Sequence, residues 1–190
     1  GDLPAVIFSN GKKVWYIDDK CHRDGDLPAL IYANGTQEWW INNQRHRENN
    51  PAVIHMIKGA IGSQEWYVNG KLHRDDGPAV IKARLQEWYI NGKRHREGDL
   101  PAVIKVNSQE WYINGKRHRN NNPAIIKINP DGTMDIQEWF VDGKRHREDD
   151  LPAVIHIING ILDTQIWCIN GKRHRDGDLA RHDRDHSGRR

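Results

Sequence analysis

The sequence predicts an all-β protein: an elongated, single-layer antiparallel β-meander built from seven tandem β-hairpin repeats. Three observations carry this expectation. A phrase close to Pro-Ala-Val-Ile, a variable stretch, and then Gln-Glu-Trp-Tyr-Ile-Asn-Gly-Lys-Arg-His-Arg recurs along the chain. In every copy a histidine follows the tryptophan at a fixed spacing, and short Asn-, Asp- and Gly-rich links join one copy to the next. Such self-similarity marks an architecture in which each unit buries its apolar face only by stacking on its neighbours.

The copies run at about 1–24, 25–48, 49–75, 76–97, 98–120, 121–148 and 149–176, with a partial eighth to 180 and a polar tail over 181–190. Their tryptophans are Trp15, Trp39, Trp66, Trp88, Trp111, Trp139 and Trp167. The paired histidines are His22, His46, His73, His95, His118, His146 and His174. Composition agrees with a thin structure. Hydrophobic residues make up 36% of the chain and charged residues 29%, too little apolar material for a thick core, while eight tryptophans argue against disorder.

The tryptophan-to-histidine half reads as a hairpin. Asn114-Gly115 and its equivalents Asn69-Gly70, Asn91-Gly92, Asp142-Gly143 and Asn170-Gly171 suit a two-residue type I′ turn, where both central residues take positive φ. Copies one and two carry Asp18-Asp19 and Asn42-Asn43, weaker signals of the same kind. A two-residue loop fixes register, so Ile113 should face Lys116, Tyr112 face Arg117, Trp111 face His118 and Glu110 face Arg119. The last relation predicts cross-strand ion pairs Glu38/Arg47, Glu65/Arg74, Glu87/Arg96 and Glu138/Arg147. Val14 and Ile166 stand in place of that glutamate in copies one and seven, as befits atypical terminal repeats.

The Pro-Ala-Val-Ile half is β-rich, its proline suits a strand start, and it returns through Gln-Glu. About 14 main strands follow, with Trp, Ile and Val as a narrow core. Pro-to-Trp spacing ranges from 10 to 16 residues, so one side of each repeat is free to lengthen. Copies three, six and seven carry the long excursions. These bring Met56, Ile57 and Ile61; Ile128, Met134 and Ile136; and Ile157, Ile158, Ile161 and Leu162 to one rim.

The phrase Trp-Tyr-x-Asn-Gly-Lys-x-His-Arg, leading through an acidic link to Pro-Ala, resembles the MORN repeat over residues 1–180. Arg follows His here where the common form has Gly, and Pro-Ala replaces its next small residues. The chain is thus similar to a divergent branch of the kind abundant in large DNA viruses of amoebae and some bacteria. The resemblance implies roles in protein interaction or scaffolding, a suggested lipid association, and a place in the cytoplasm, of the host cell if viral, or in a virion.

Catalysis has little to rest on: no phosphate loop, no Gly-x-Ser-x-Gly and no nucleophile recurring with the histidines. Equivalent histidines two strands apart lie about 10 Å from one another, too far to share one metal ion. The sequence therefore suggests histidines packed against their tryptophans, and neither cofactor nor metal. Only a terminal group, His174, His182 and His186 with Asp183 and Asp185, could bind metal adventitiously. Cys21 and Cys168, far apart and at different repeat positions, read as incidental thiols. A net charge of +3 from 29 basic and 26 acidic residues lacks the excess of a nucleic-acid binder.

The expected function is a non-catalytic scaffold that binds another protein or assembles edge to edge with itself. The expected contact residues are those of the long hairpins and an exposed face formed by Tyr67, Tyr89 and Tyr112 with Arg94, Arg117 and Arg145. The rival is a peripheral membrane module that reads anionic headgroups through Lys93, Lys116, Lys144 and Lys172.

Overall fold

The computed structural model describes residues 2–174; the tail and its histidine group lie outside them, His174 excepted. The described residues form strands and turns and no helix. The chain divides into two units, Gly1–Val106 and Asn107–Arg190. Each is an antiparallel meander whose main strands are hydrogen-bonded to their neighbours in chain order, nine strands in the first unit and five in the second.

These strands come from the Pro-Ala-Val-Ile and Gln-Glu segments. In the first unit Glu38 lies opposite Leu30 and Val53, and Glu87 opposite Val80 and Val103. In the second, Glu138 lies opposite Ile125 and Val154. The side-chain period of two thus places glutamates and aliphatic residues alternately along one row in each unit.

The chain leaves the main sheet at each tryptophan. The Trp111 N–H donates to the carbonyl of Ala124 in the next copy, at 2.8 Å, and the same bond joins Trp15 to Ala29, Trp39 to Ala52, Trp66 to Ala79, Trp88 to Ala102 and Trp139 to Ala153. Beyond that break the fixed segment forms its own two-stranded hairpin, seven among the described residues, of which Tyr112–Ile113 with Lys116–Arg117 is one. The expected register holds for Tyr112 with Arg117 and Ile113 with Lys116. The turn residues have the positive φ of a type I′ turn, 51° at Asn114 and 82° at Gly115. Neighbouring hairpins are stitched together: the Gly92 N–H donates to the Leu72 carbonyl at 2.8 Å, and the Arg74 N–H to the Tyr89 carbonyl at 3.2 Å.

The core is narrower than tryptophan, isoleucine and valine alone would make it. Val53, Val103 and Val154 are fully enclosed, but the isoleucines that follow them are half-buried. Ala5 in the first copy is exposed, whereas the alanines of the Pro-Ala phrase in copies two to seven, Ala29, Ala52, Ala79, Ala102, Ala124 and Ala153, have no exposed surface at all. In these positions a larger side chain would have to displace the packed tryptophan segment of the preceding copy.

All three long hairpins carry a one-residue bulge where they leave the common sheet. Ile61 faces Met56 while Ser63 faces His55, leaving Gly62 extra. Asp135 and Asp163 are the extra residues in Met134–Glu138 and Ile161–Ile166. A bulge adds local twist and restores face parity after an odd residue. Hence Glu65 still lies opposite Val53, as Glu87 does opposite Val80.

Candidate interaction surface

The expected Glu110–Arg119 pairing, and its four equivalents, do not form. Because the hairpin ladder ends at Trp and His, the glutamate stays in the main sheet and in four copies meets the arginine nearer the turn; in copy three Leu72 stands in that place and Glu65 accepts from the Tyr67 hydroxyl at 3.0 Å. The ion pairs are Glu38–Arg45 at 3.1 Å, Glu87–Arg94 at 2.6 Å, Glu110–Arg117 at 3.2 Å and Glu138–Arg145 at 2.8 Å. The arginine after each histidine is thereby freed to lie over tryptophan. Arg23, Arg47, Arg74, Arg96, Arg119 and Arg147 sit 3.8–4.1 Å from the ring centroids of Trp15, Trp39, Trp66, Trp88, Trp111 and Trp139. Each also donates Nη1 to a proline carbonyl, as Arg47 does to Pro51 at 3.3 Å.

Histidine consequently packs differently from the expectation. The His118 N–H does donate to the Trp111 carbonyl, at 3.2 Å, but the tryptophan face is covered by arginine. The imidazole instead bridges copies. His46 Nδ1 accepts from the Asn69 backbone N–H at 3.2 Å, and the same bond joins His73 to Asn91, His118 to Asp142 and His146 to Asn170. Nδ1 of His46 also lies 3.0 Å from Asn69 Oδ1, and Nδ1 of His118 3.3 Å from Asp142 Oδ1. The other ring nitrogen, Nε2, faces an acid two residues on, Glu97 from His95 at 2.7 Å and Glu148 from His146 at 2.6 Å.

The Tyr/Arg face expected to be exposed is largely internal. Tyr112 is buried, Tyr67, Tyr89, Arg94 and Arg117 are half-buried, and only Arg145 is exposed, while all three arginines are held by their glutamates. The cluster around Glu38 shows why. Burial alone would raise this carboxyl, but Arg45 and hydrogen bonds from Trp40, Tyr32 and Arg45 outweigh it and hold it below the usual glutamate range. Burial and the bond to Glu38 push the Tyr32 phenol up to about 12. These residues lock hairpin to sheet and do not form a free surface.

The long hairpins do present apolar side chains. Ile57, Ile61, Met134, Ile158, Ile161 and Leu162 are exposed, Ile161 most of all at 72%. Met56, Ile128, Ile136 and Ile157, closer to the sheet, are half-buried. Lys93, Lys116, Lys144 and Lys172 are exposed and, like Lys71, make no ion pair among the described residues. Three of these stems lean on the following turn: Lys71 Cβ would lie 3.7 Å from a Cβ at Gly92, and Lys116 and Lys144 stand likewise against Gly143 and Gly171. Exposed Ile17, Ile41, Ile113, Val141 and Ile169 occupy the strand position just before the turns.

Shallow troughs lie between successive links, lined by residues such as Trp39, Ile41, Leu27 and Glu48. No three His, Cys, Asp or Glu side chains come together as a metal site among the described residues. Links ending Asp-Leu-Pro supply a carbonyl to the next indole N–H: Trp39 donates to Asp26 and Trp167 to Asp150, both at 3.0 Å. The shorter links before Trp66 and Trp139 leave those buried indoles without a hydrogen-bond partner. Sequence reasoning passed over this distinction, although the link lengths displayed it. No family model and no curated protein sequence matches the chain.

Proposed function

We propose that the chain is a MORN-like, non-catalytic scaffold that binds another protein, or further copies of itself, through the tips of its long hairpins. One observation carries the reading: the only large length changes among the repeats are confined, by a bulge at each base, to hairpins whose tips expose Ile57 and Ile61, Met134, or Ile158, Ile161 and Leu162. Exposed apolar side chains gathered at such tips cost solubility and gain meaning as contact sites. The test replaces Ile158, Ile161 and Leu162 together with asparagine, and separately Ile57 and Ile61. Sedimentation across a concentration series and quantitative capture of partners should both weaken in the variants. Unchanged association and capture would refute the reading.

A second reading, headgroup binding, draws support from the unpaired lysines beside exposed Ile113, Val141 and Ile169. Co-sedimentation with vesicles of anionic phospholipid should then fall steeply with salt and vanish on neutral vesicles.

A further inference from the structure

We infer that Asn159 is a site of spontaneous covalent modification, deamidating through a succinimide to aspartate and isoaspartate well ahead of the Asn-Gly steps at Asn10, Asn34, Asn69, Asn91 and Asn170. The sequence holds seven such steps: Asn10, Asn34, Asn69, Asn91, Asn114, Asn159 and Asn170, each followed by glycine. Their intrinsic chemistry is the same. The backbone nitrogen of the glycine, having lost its proton, attacks Cγ of the asparagine side chain; the new C–N bond closes a five-membered imide and the side-chain nitrogen leaves as ammonia. Water then opens the ring. Attack at the side-chain carbonyl gives aspartate, and attack at the backbone carbonyl gives isoaspartate, with the chain rerouted through the β-carbon.

What differs is the glycine. In five of the steps its N–H is committed to a carbonyl: Gly11 to Phe8 and Gly35 to Tyr32, both at 2.9 Å, Gly70 to Arg45 at 2.9 Å, Gly92 to Leu72 at 2.8 Å and Gly171 to Arg145 at 2.9 Å. The Gly160 N–H has no acceptor among the described residues. Packing points the same way. A Cβ built on Gly11, Gly35, Gly70, Gly92 or Gly171 would meet a neighbouring side chain 3.2–3.7 Å away, whereas nothing lies within 4 Å of Gly160. The fold explains the contrast. At Gly70, Gly92 and Gly171 a short hairpin gives its turn N–H to the hairpin beside it, and Gly11 and Gly35 bond back within their own turns, while the two-residue turn at Asn159-Gly160, between Ile158 and Ile161, has neither arrangement and leaves both residues exposed. Its nucleophile is free and the ring has room to close.

The product sits in a meaningful place. Either outcome puts a carboxylate between exposed Ile158 and exposed Ile161, and isoaspartate also lengthens the two-residue turn by one backbone atom.

The test incubates the full chain, folded, at mildly alkaline pH in water enriched in heavy oxygen, with digestion and tandem mass spectrometry at intervals. Asn159 should gain the label at least about fivefold faster than Asn10, Asn34, Asn69, Asn91 or Asn170, the factor that one hydrogen bond on the attacking N–H contributes. In denaturant those rates should converge. Labelling of Asn91 or Asn170 as fast as Asn159 in the folded chain would overturn the inference, and so would a rate order that persists unchanged in denaturant, since the fold would then not be its cause.

Discussion

The guanidinium of Arg47 lies 3.8 Å from the ring centroid of Trp39, and it is Arg45, two residues nearer the turn, that holds Glu38. Arg47 is also tied to Asp26 by bonds of 2.7 and 2.9 Å and to the Pro51 carbonyl. One arginine thus closes the tryptophan, the preceding link and the following proline into a single joint. The other neutralises the buried carboxylate.

Double-mutant cycles separate these roles. Glu38→Gln and Arg45→Met should show a coupling of about 1–2 kcal/mol, because removing either leaves the other charge partly buried. Glu38→Gln with Arg47→Met should be nearly additive. Arg47→Met alone should cost about 1–2 kcal/mol through lost stacking and hydrogen bonds, read from urea unfolding.

Glu38 makes the stability sensitive to acid. Its folded carboxyl is held below the unfolded value, so the unfolded state binds the extra proton, and the stabilisation present above the unfolded pKa is lost as pH falls through the folded one. The wild-type chain should therefore lose more stability than Glu38→Gln on going below about pH 4.3, the ordinary glutamate value. Parallel stability curves for the two proteins would contradict this.

The short links offer a gain of stability. Replacing Glu48-Asn49-Asn50 with Asp-Gly-Asp-Leu, the link before Trp39, should bring a carbonyl to the Trp66 indole N–H, which has no partner. An increase of about 1 kcal/mol is expected, the net contribution of one buried hydrogen bond. The Trp66 fluorescence should shift with it.

Cys21 should be a poor nucleophile. Burial, with Glu38 nearby, pushes its thiol up to about 11, leaving on the order of one thiolate in ten thousand at pH 7. Thiol reagents should modify it slowly in the folded chain and rapidly in denaturant, with release of the chromophore as the readout.

The turns were legible in the sequence because Asn-Gly and Asp-Gly in a two-residue loop leave one conformation and one register, and Tyr112 meets Arg117 accordingly. Two steps further out the extrapolation failed. The Trp111 N–H is claimed by Ala124, thirteen residues away in the next copy, so the ladder stops before it reaches Glu110. Nothing local to the hairpin announces that competitor. The recurrence of alanine in the Pro-Ala phrase that opens each copy was the available signal, since from the second copy on only a residue without bulk fits where one copy closes on another. The bulges fall at a glycine, Gly62, and at two aspartates, Asp135 and Asp163, residue types common elsewhere in the chain, so the parity of hairpin length was the better signal for them.

The His46–Asn69 bond ties a side chain of one copy to the turn of the next, while the bulges at Gly62, Asp135 and Asp163 keep hairpin growth out of that contact. The lineage of such a protein can therefore explore new tips cheaply. An insertion between Ile158 and Ile161 alters what a hairpin reaches without asking any neighbouring copy to adapt. A duplicated repeat arrives with its joints already matched, so copy number and tip sequence can change as two separate evolutionary variables.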